Sequence, residues 1–231
     1  MSSLLSKHES VYRTIRERIL NGVYGPGKRL VLSAIARDLD VSPVPVREAM
    51  RRLEAEGLVT FERNIGARVN TLDDEGWEQL VEMLALLDGY AMRRAQCRIP
   101  PAAIGEAQRL NDALRAHAGG PPDTHGEVMA LHRLFHRTLY AHGDNRYLVE
   151  SLDSAWDRID ASRVLISRWP AHRLASSVDE HDELLRLLRA GDVEPNELER
   201  CTRQHSLNAI TAIRGGAHAG RLSGLSLPAR P

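Results

Sequence analysis

Residues 41–58 constrain this chain more than any other stretch, because they predict a tight turn followed by one amphipathic helix. Ser42 can accept hydrogen bonds from the free N–H groups of the first helical turn, and a prolyl ring is tolerated there because no helical hydrogen bond is lost. Gly57 can end the helix in the left-handed conformation. Between these signals the helix is predicted to run for about four turns.

The two sides of this predicted helix differ in chemistry. Val46, Met50 and Leu53 recur at helical spacing and can pack inward. The residues that remain on or near the outer side are Ser42, Val44, Arg47, Arg51 and Arg52. A helix that enters a DNA groove needs polar side chains at its start that extend outward to the DNA.

The flanking segments predict a small domain around this helix. An amphipathic helix precedes it, and Ser33 is expected to cap a second, shorter helix between the two. Residues 58–62 and 67–71 have the composition of strands and predict a small hairpin, or wing, after the third helix. We therefore predict a winged helix-turn-helix domain over residues 8–71.

Residues 8–71 resemble the winged helix-turn-helix domain of the GntR family of bacterial transcription regulators. The matching blocks are Pro26-Gly27, Val41-Ser42, Val46-Arg47-Glu48-Ala49 and Leu53-Glu54-Ala55-Glu56-Gly57-Leu58. The resemblance implies that Arg47 contacts a base edge in the major groove, where a guanidinium can bind guanine through two hydrogen bonds. Arg51 and Arg52 are interpreted as phosphate contacts, which position a protein without specifying sequence.

The same resemblance implies that the wing approaches the minor groove through Arg63, Asn64 and Gly66. Two positions depart from the family pattern. Pro43 stands where some relatives have an arginine that reads a base, and Ile65 stands where the wing is commonly basic.

Charge is distributed unevenly along a chain whose formal net charge is zero. Residues 1–72 contain 12 Lys and Arg against 8 Asp and Glu, a net charge of +4, which leaves 19 against 23, or −4, for the remainder. The positive part contains the predicted groove helix. The neutral total argues against a non-specific chromosome-associated protein, and an aromatic content of 4% argues against stacking on single strands.

The second half of the chain changes to long helical periodicity with almost no strand signal. Short breaks separate six predicted helices: 73–97, 101–118, 124–142, 145–168, 172–190 and 194–214. The predicted fold class is mainly α, with the winged helix-turn-helix followed by an all-helical bundle of about six helices over residues 73–214. Residues 215–231, rich in Gly, Ser, Ala and Pro, are expected to form a loose tail.

Four histidines interrupt the apolar faces of three predicted helices. His132 and His136 lie one turn apart on the third helix of the bundle, and His181 and His205 lie on the last two. An imidazole buried without a partner costs about 1–3 kcal/mol, so four such positions favour a common explanation. A shared metal ion is that explanation, because neutral imidazole is the commonest protein ligand of divalent transition metals. The alternative is four core histidines, each hydrogen bonded to a carbonyl or carboxylate.

Residues 75–213 resemble the all-helical FCD effector domain of the FadR-like subgroup of GntR regulators. The resemblance rests on Phe135-His136 followed by Asn145, on Glu180-His181, on Arg189-Ala190-Gly191-Asp192 and on His205. Many members bind a divalent metal through one aspartate and three histidines. His136, His181 and His205 match the three histidines, and His132 stands at the aspartate position. Four nitrogen donors favour Zn²⁺ or Ni²⁺ over Mn²⁺ or Mg²⁺.

By the same resemblance, the metal presents open positions to a small carboxylate metabolite and serves as a docking point, not as a catalyst. Leu84 stands where the first helix of this domain commonly has an arginine, which argues against a standard carboxylate clamp. Asp88, Arg158 and Arg163 are candidates for the pocket, with a surface or structural role as the alternative.

These observations predict a homodimeric, ligand-responsive repressor or activator that binds an inverted-repeat operator in double-stranded DNA. A dimer is expected because one small wing domain buries too little surface for selective binding. The alternative is a helical metalloenzyme with an accessory DNA-binding domain, using the ion to activate water. That alternative lacks a base in an HExxH-like position, since residue 133 is Arg.

Cellular location is predicted from what the sequence does not contain. There is no run of about 18 apolar residues and no signal-peptide core near Lys7, so we expect a cytoplasmic protein without membrane contact. Cys97 and Cys201 lie far apart in sequence, which argues against a disulfide scaffold. Both are expected to be buried thiols.

Overall fold

The computed structural model describes residues 7–62, 66–118, 124–165, 169–191 and 194–223. The chain divides into two compact units. One comprises Met1–Trp77 together with Ser154–Arg163, and the other comprises Glu78–Asp153 together with Val164–Pro231. The mainly α fold predicted from the sequence is confirmed. No helix among the described residues has the length and apolar character needed to cross a bilayer.

The described part of residues 7–77 has the order of a winged helix-turn-helix. Its elements are α1 (Lys7–Leu20), β1 (Arg29–Leu30), α2 (Leu32–Asp38), α3 (Pro43–Ala55), β2 (Val59–Glu62) and β3 (Gly66–Val69). The strands pair antiparallel in the order β1-β3-β2, with Val59 opposite Val69. The β2–β3 hairpin is the predicted wing, and it follows α3 directly.

An apolar core fixes the orientation of α3 in this unit. Ile15 and Ile19 of α1 belong to the same buried cluster as Met50 and Leu53 of α3, and none of the four side chains is accessible to solvent. Burying a side chain of this size stabilises the fold by about 1.5–3 kcal/mol. The inward face of α3 is therefore the one that its periodicity predicts.

One of the three predicted helix-end signals around α2 and α3 is confirmed, and two are wrong. Gly57 ends α3 with a left-handed φ of 74°, as predicted. Ser42 is the N-cap residue of α3, but its side chain makes no capping hydrogen bond. Ser33 lies inside α2, because the backbone carbonyl of Val31 already accepts from the N–H groups of the first turn.

Helices occupy all six segments predicted for the second half. They are α4 (Asp74–Ala95), α5 (Pro101–Ala116), α6 (His125–Tyr140), α7 (Arg146–Ser162), α8 (Ala171–Ala190) and α9 (Pro195–Ser223). A 3₁₀ turn (Gln96–Arg98) follows α4 and contains no buried residue. Cys97 lies in this turn and is exposed, and Cys201 is half-buried, so the prediction of buried thiols is wrong.

Two predicted boundaries are also wrong. α7 ends at Ser162 and not at residue 168, because Arg163 adopts a left-handed φ of 59° that does not continue a helix. α9 continues to Ser223, past the predicted end at 214, since no proline interrupts the chain before Pro228. Residues 215–223 are therefore helical, and the rest of the predicted tail lies outside the described residues.

Candidate metal centre and DNA-binding surface

Four histidine side chains from three helices meet in the interior of the second unit. His132 and His136 come from α6, His181 from α8 and His205 from α9, and all four are buried. The one-turn spacing on α6 places the first two rings on the same face of that helix. The structure thus brings together the four histidines that the sequence singled out.

The Nε2 atom of His205 lies at the centre of this histidine cluster. It is 3.1 Å from Nε2 of His136 and 3.2 Å from Nε2 of both His132 and His181. A ring nitrogen carries either one hydrogen or one lone pair, so it cannot form hydrogen bonds with three neighbours at once. Two nitrogens that each lie about 2.0–2.1 Å from one tetrahedral zinc ion are about 3.3 Å apart, which is close to the observed spacing.

The opposite ring nitrogens of three histidines have oxygen partners on neighbouring elements. The three pairs are His136 Nδ1 with Asp88 Oδ2 at 3.0 Å, His181 Nδ1 with Asn111 Oδ1 at 2.9 Å, and His205 Nδ1 with Glu180 Oε2 at 2.6 Å. A ring that donates from Nδ1 keeps a lone pair on Nε2, which is the tautomer that binds a metal through Nε2. His181 and His205 therefore have the outer hydrogen bonds of metal-binding histidines, and His136 has a carboxylate oxygen close to its Nδ1 atom.

The environment of Asn111 fixes the tautomer of His181. The amide nitrogen of Asn111 donates to the backbone carbonyl of Val178 at 3.1 Å and to Asp182 Oδ1 at 2.8 Å. Its amide oxygen therefore faces His181 and can only accept. Sequence reasoning missed Asn111 and Glu180 as partners of the cluster, although a polar residue on a buried helical face is the signal that marks Asn111.

Burial keeps the imidazoles of His132, His181 and His205 neutral. Desolvation, reinforced by the neighbouring rings, holds the pKa values of His132 and His181 well below the usual 6.5. Desolvation also lowers the pKa of His205 to about 4, although the hydrogen bond to Glu180 acts in the opposite direction. Burial alone raises the pKa of Glu180, but its hydrogen bonds with His205 and Arg173 outweigh burial and lower it to about 2. Neutral rings are the form that a metal binds.

The outer side of α3 and its N-cap residue are exposed, as the sequence predicts. Ser42, Val44, Arg47 and Arg51 all lie on the surface. Within the described part of the chain no ion pair holds Arg47, and the nearest carboxylate oxygen to Arg51 is 4.0 Å away on Glu48. Both guanidinium groups are therefore available to an external partner.

Arg52 has a different environment from the phosphate contact that the sequence suggests. Its guanidinium carbon lies 3.6 Å from the ring centre of Tyr12. Its nitrogens lie 2.9 Å from a carboxylate oxygen of Glu9 and 3.2 Å from one of Glu56. These contacts join α3 to α1 and favour a structural role for Arg52.

The wing residues and the two remaining pocket candidates are placed as follows. Gly66 begins β3 with a φ of 98°, which only glycine adopts readily. Arg63 and Asn64 lie outside the described residues, so their role at the minor groove stays a prediction. Arg158 and Arg163 belong to the first unit, where Arg163 donates to the backbone carbonyl of Leu20, and neither is part of the histidine cluster.

Comparison with known proteins matches each half of the chain to a family. The model of the "Bacterial regulatory proteins, gntR family" matches residues 7–69, and that of the FCD domain matches residues 79–208. The chain is 31% identical over 165 residues to the Nta operon transcriptional regulator of Aminobacter aminovorans, covering 71% of this chain and 75% of that protein. It is 28% identical over 172 residues to the HTH-type transcriptional regulator YdhC of Bacillus subtilis, covering 74% and 75%.

A solved structure shows the same fold. "E. coli McbR/YncC" superposes with a TM-score of 0.76 at 20% sequence identity, over 93% of this chain and all of that one. The first family match contains α3, and the second contains all four histidines of the cluster. The chain therefore belongs to the GntR family of bacterial transcriptional regulators and consists of a DNA-binding helix-turn-helix domain followed by an FCD domain.

Proposed function

We propose that this protein is a ligand-responsive regulator, controlled by a small organic acid that binds in a metal-containing helical domain. One observation carries the proposal: four buried imidazoles from three helices each offer one ring nitrogen, and these nitrogens lie within 4.8 Å of one another. Control of DNA binding requires that the ligand bind the DNA-competent and DNA-incompetent forms with different affinity. Nothing in the comparisons favours the metalloenzyme alternative, because the matched relatives are named as regulators.

The donor set fits a divalent transition metal, with Zn²⁺ or Ni²⁺ preferred. Four imidazoles offer only nitrogen, and nitrogen donors suit these ions better than Mg²⁺ or Mn²⁺. The four histidines would hold the ion, and the oxygen partners of Nδ1 would orient three of the rings. When bound, the ion supplies a positive docking point for a carboxylate.

In the DNA-binding domain, we propose α3 as the recognition helix. Arg47 contacts a base edge and Arg51 contacts a phosphate, and both are exposed in the structure. Ser42 and Val44 lie near them at the start of the helix, and the wing tip at Gly66 approaches the minor groove. Access to chromosomal DNA requires a cytoplasmic location.

We further propose that the regulator is a homodimer on an inverted repeat. α4 exposes Met83, Leu86 and Tyr90, each by 38–50%, at intervals of three and four residues. Such spacing forms one apolar stripe, which is typical of a protein interface. Two helix-turn-helix domains on two half-sites require a second copy of this chain, so the stripe is assigned to that copy.

The proposal is tested with the full-length protein and its His136→Ala variant. Elemental analysis should find zinc or nickel in the wild type and much less in the variant. Fluorescence anisotropy on the protein's own upstream region should show a preference over bulk DNA at several salt concentrations. Small organic acids should raise the melting temperature of the wild type, and a chelator should abolish that increase.

Each part of the proposal has an outcome that contradicts it. Unchanged metal content in His136→Ala would show that the histidine cluster is not the metal site. Absence of any preference over bulk DNA would contradict operator binding. A melting temperature that no organic acid changes would contradict the ligand class.

A further inference from the structure

Arg173 of α8 is buried beside the histidine cluster and only partly paired. The residue is 3% exposed, and its Nη2 atom donates to Glu180 Oε2 at 2.6 Å and to the backbone carbonyl of His205 at 3.0 Å. Its Nε and Nη1 atoms are also buried, and no residue that the structure describes accepts a hydrogen bond from either. A buried guanidinium is unfavourable unless its N–H groups have acceptors, so this one needs an acceptor from outside the described chain.

Two further buried donors lie near Arg173. Ser177 and His181 follow it at intervals of four residues along α8, so the three share one face of the helix. Neither the hydroxyl of Ser177 nor the indole N–H of Trp169 has a hydrogen-bond partner among the described residues. The Trp169 ring centre lies 5.7 Å from the guanidinium carbon of Arg173 and 6.0 Å from the ring centre of His132. The unpaired donors therefore lie beside the cluster.

We propose that Arg173, with Ser177 and Trp169, is the anion-binding part of the ligand site and contacts a carboxylate of the ligand. This inference rests on the proposed function, because it assumes that an organic acid enters the helical domain. An ionised carboxylate only accepts hydrogen bonds, and its bonds to a guanidinium are among the strongest in proteins. Leu84 of α4 is apolar and buried, so the proposed cation comes from α8 and not from position 84.

The competing explanation gives Arg173 a positioning role only. Arg173 pairs with Glu180, and Glu180 lies against Nδ1 of His205, so Arg173 can act on the metal ligands through that carboxylate. The two explanations predict different results. Loss of a ligand contact lowers the affinity for carboxylates at unchanged metal content, whereas loss of a positioning contact lowers the affinity for the metal.

The test compares Arg173→Met and Arg173→Lys with the wild type, all full-length and loaded with zinc. Acetate, lactate, malonate and succinate serve as probes in calorimetric titrations, and zinc content is measured on the same samples. We expect Arg173→Met to retain zinc and to bind the carboxylates about 10–100-fold more weakly. Arg173→Lys keeps the charge without the planar fork and should show a smaller loss.

Arg186→Met is the matched control, because Arg186 lies on the same helix but is exposed and pairs with Glu183. It should change neither zinc content nor carboxylate binding. Carboxylate affinities in both Arg173 variants that equal the wild type would overturn this inference alone, as would a loss of zinc with unchanged carboxylate affinity after reloading. If none of the four acids binds the zinc-loaded wild type, the proposed ligand class fails and this inference fails with it.

Discussion

The two halves of the molecule bury different chemistry. Among the described residues from 7 to 77, every buried side chain is aliphatic or, at Tyr12 and Trp77, aromatic, and the charged groups lie at or near the surface. The second unit buries Asp88, Asn111, Arg173 and the four histidines. Buried polar groups destabilise a fold unless they have partners. The contrast indicates that the proposed DNA contacts of the first half lie outside its core, whereas the proposed metal site of the second half lies within its core.

This contrast predicts a separation between the effects of substitutions in the two halves. A change on the outer side of α3 should alter DNA binding and leave the fold intact, because those side chains contribute nothing to the apolar core. A change in the histidine cluster should alter metal content and stability together, because the rings are part of the interior. The following substitutions test that separation.

The largest effect is expected for His205→Ala. The Nε2 atom of His205 is the one that lies within 3.2 Å of the other three, so its removal takes away the central donor. Zinc content should fall to background, and EDTA should no longer lower the melting temperature. His172→Ala, at an exposed position on α8, is the control and should behave like the wild type. A variant that keeps its zinc would contradict the site.

Asp88→Asn should weaken metal binding without abolishing it. Asp88 Oδ2 lies 3.0 Å from Nδ1 of His136, close enough for the carboxylate to hold that ring by charge. Loss of such an outer partner typically lowers metal affinity by about 10–100-fold, which competition with a chromophoric chelator measures. Asp144→Asn, at a surface carboxylate paired with Arg94, is the matched control. Equal affinities in both variants would remove Asp88 from the site.

Arg47→Ala and Arg51→Ala should weaken DNA binding in different ways. Loss of Arg47 should reduce the preference for operator over bulk DNA by about 1–3 kcal/mol, because a base contact carries sequence information. Loss of Arg51 should weaken binding to all sequences and reduce the salt dependence by about one counterion. Anisotropy titrations at several salt concentrations separate the two results. An unchanged preference in Arg47→Ala would exclude the base contact, and unfolding temperatures should not move.

The order of elements and the membership of the histidine cluster were predictable because both depend on local periodicity. Apolar spacing defines the inner face of α3, and the same spacing reveals that His132, His136, His181 and His205 occupy inner positions. Such patterns need only neighbours within one helix. The winged domain and the six helical segments follow from the same kind of signal.

The rest of the site depends on contacts between residues that are distant in sequence. Asn111 meets His181 across 70 positions, and Arg52 pairs with Glu9 across 43, so no local pattern marks either pair. The end of α7 at Arg163 has no glycine or proline to signal it. Packing between helices decides these features. The spacing of residues within one segment does not show which residues of distant segments come into contact.

The smallest effect is expected at Tyr12, where the first half has a polar contact at the edge of its apolar core. The hydroxyl of Tyr12 donates to Glu56 Oε1 at 2.7 Å. Burial and this hydrogen bond raise its pKa from 10.0 to about 12. Because the folded pKa lies above the ordinary value, the stabilisation is complete below pH 10.0 and is lost as the pH rises through about 12.

Tyr12→Phe should therefore lower the free energy of unfolding by about 0.5–1.5 kcal/mol near neutral pH, because one hydrogen bond is lost. The variant should also lose less stability than the wild type when the pH rises from about 8 to about 11, since it has no phenol to ionise there. Urea unfolding at both pH values measures each effect. Tyr147→Phe, at an exposed tyrosine, is the control. If zinc content also changed in Tyr12→Phe, the separation between an outward-facing half and an interior site would be wrong.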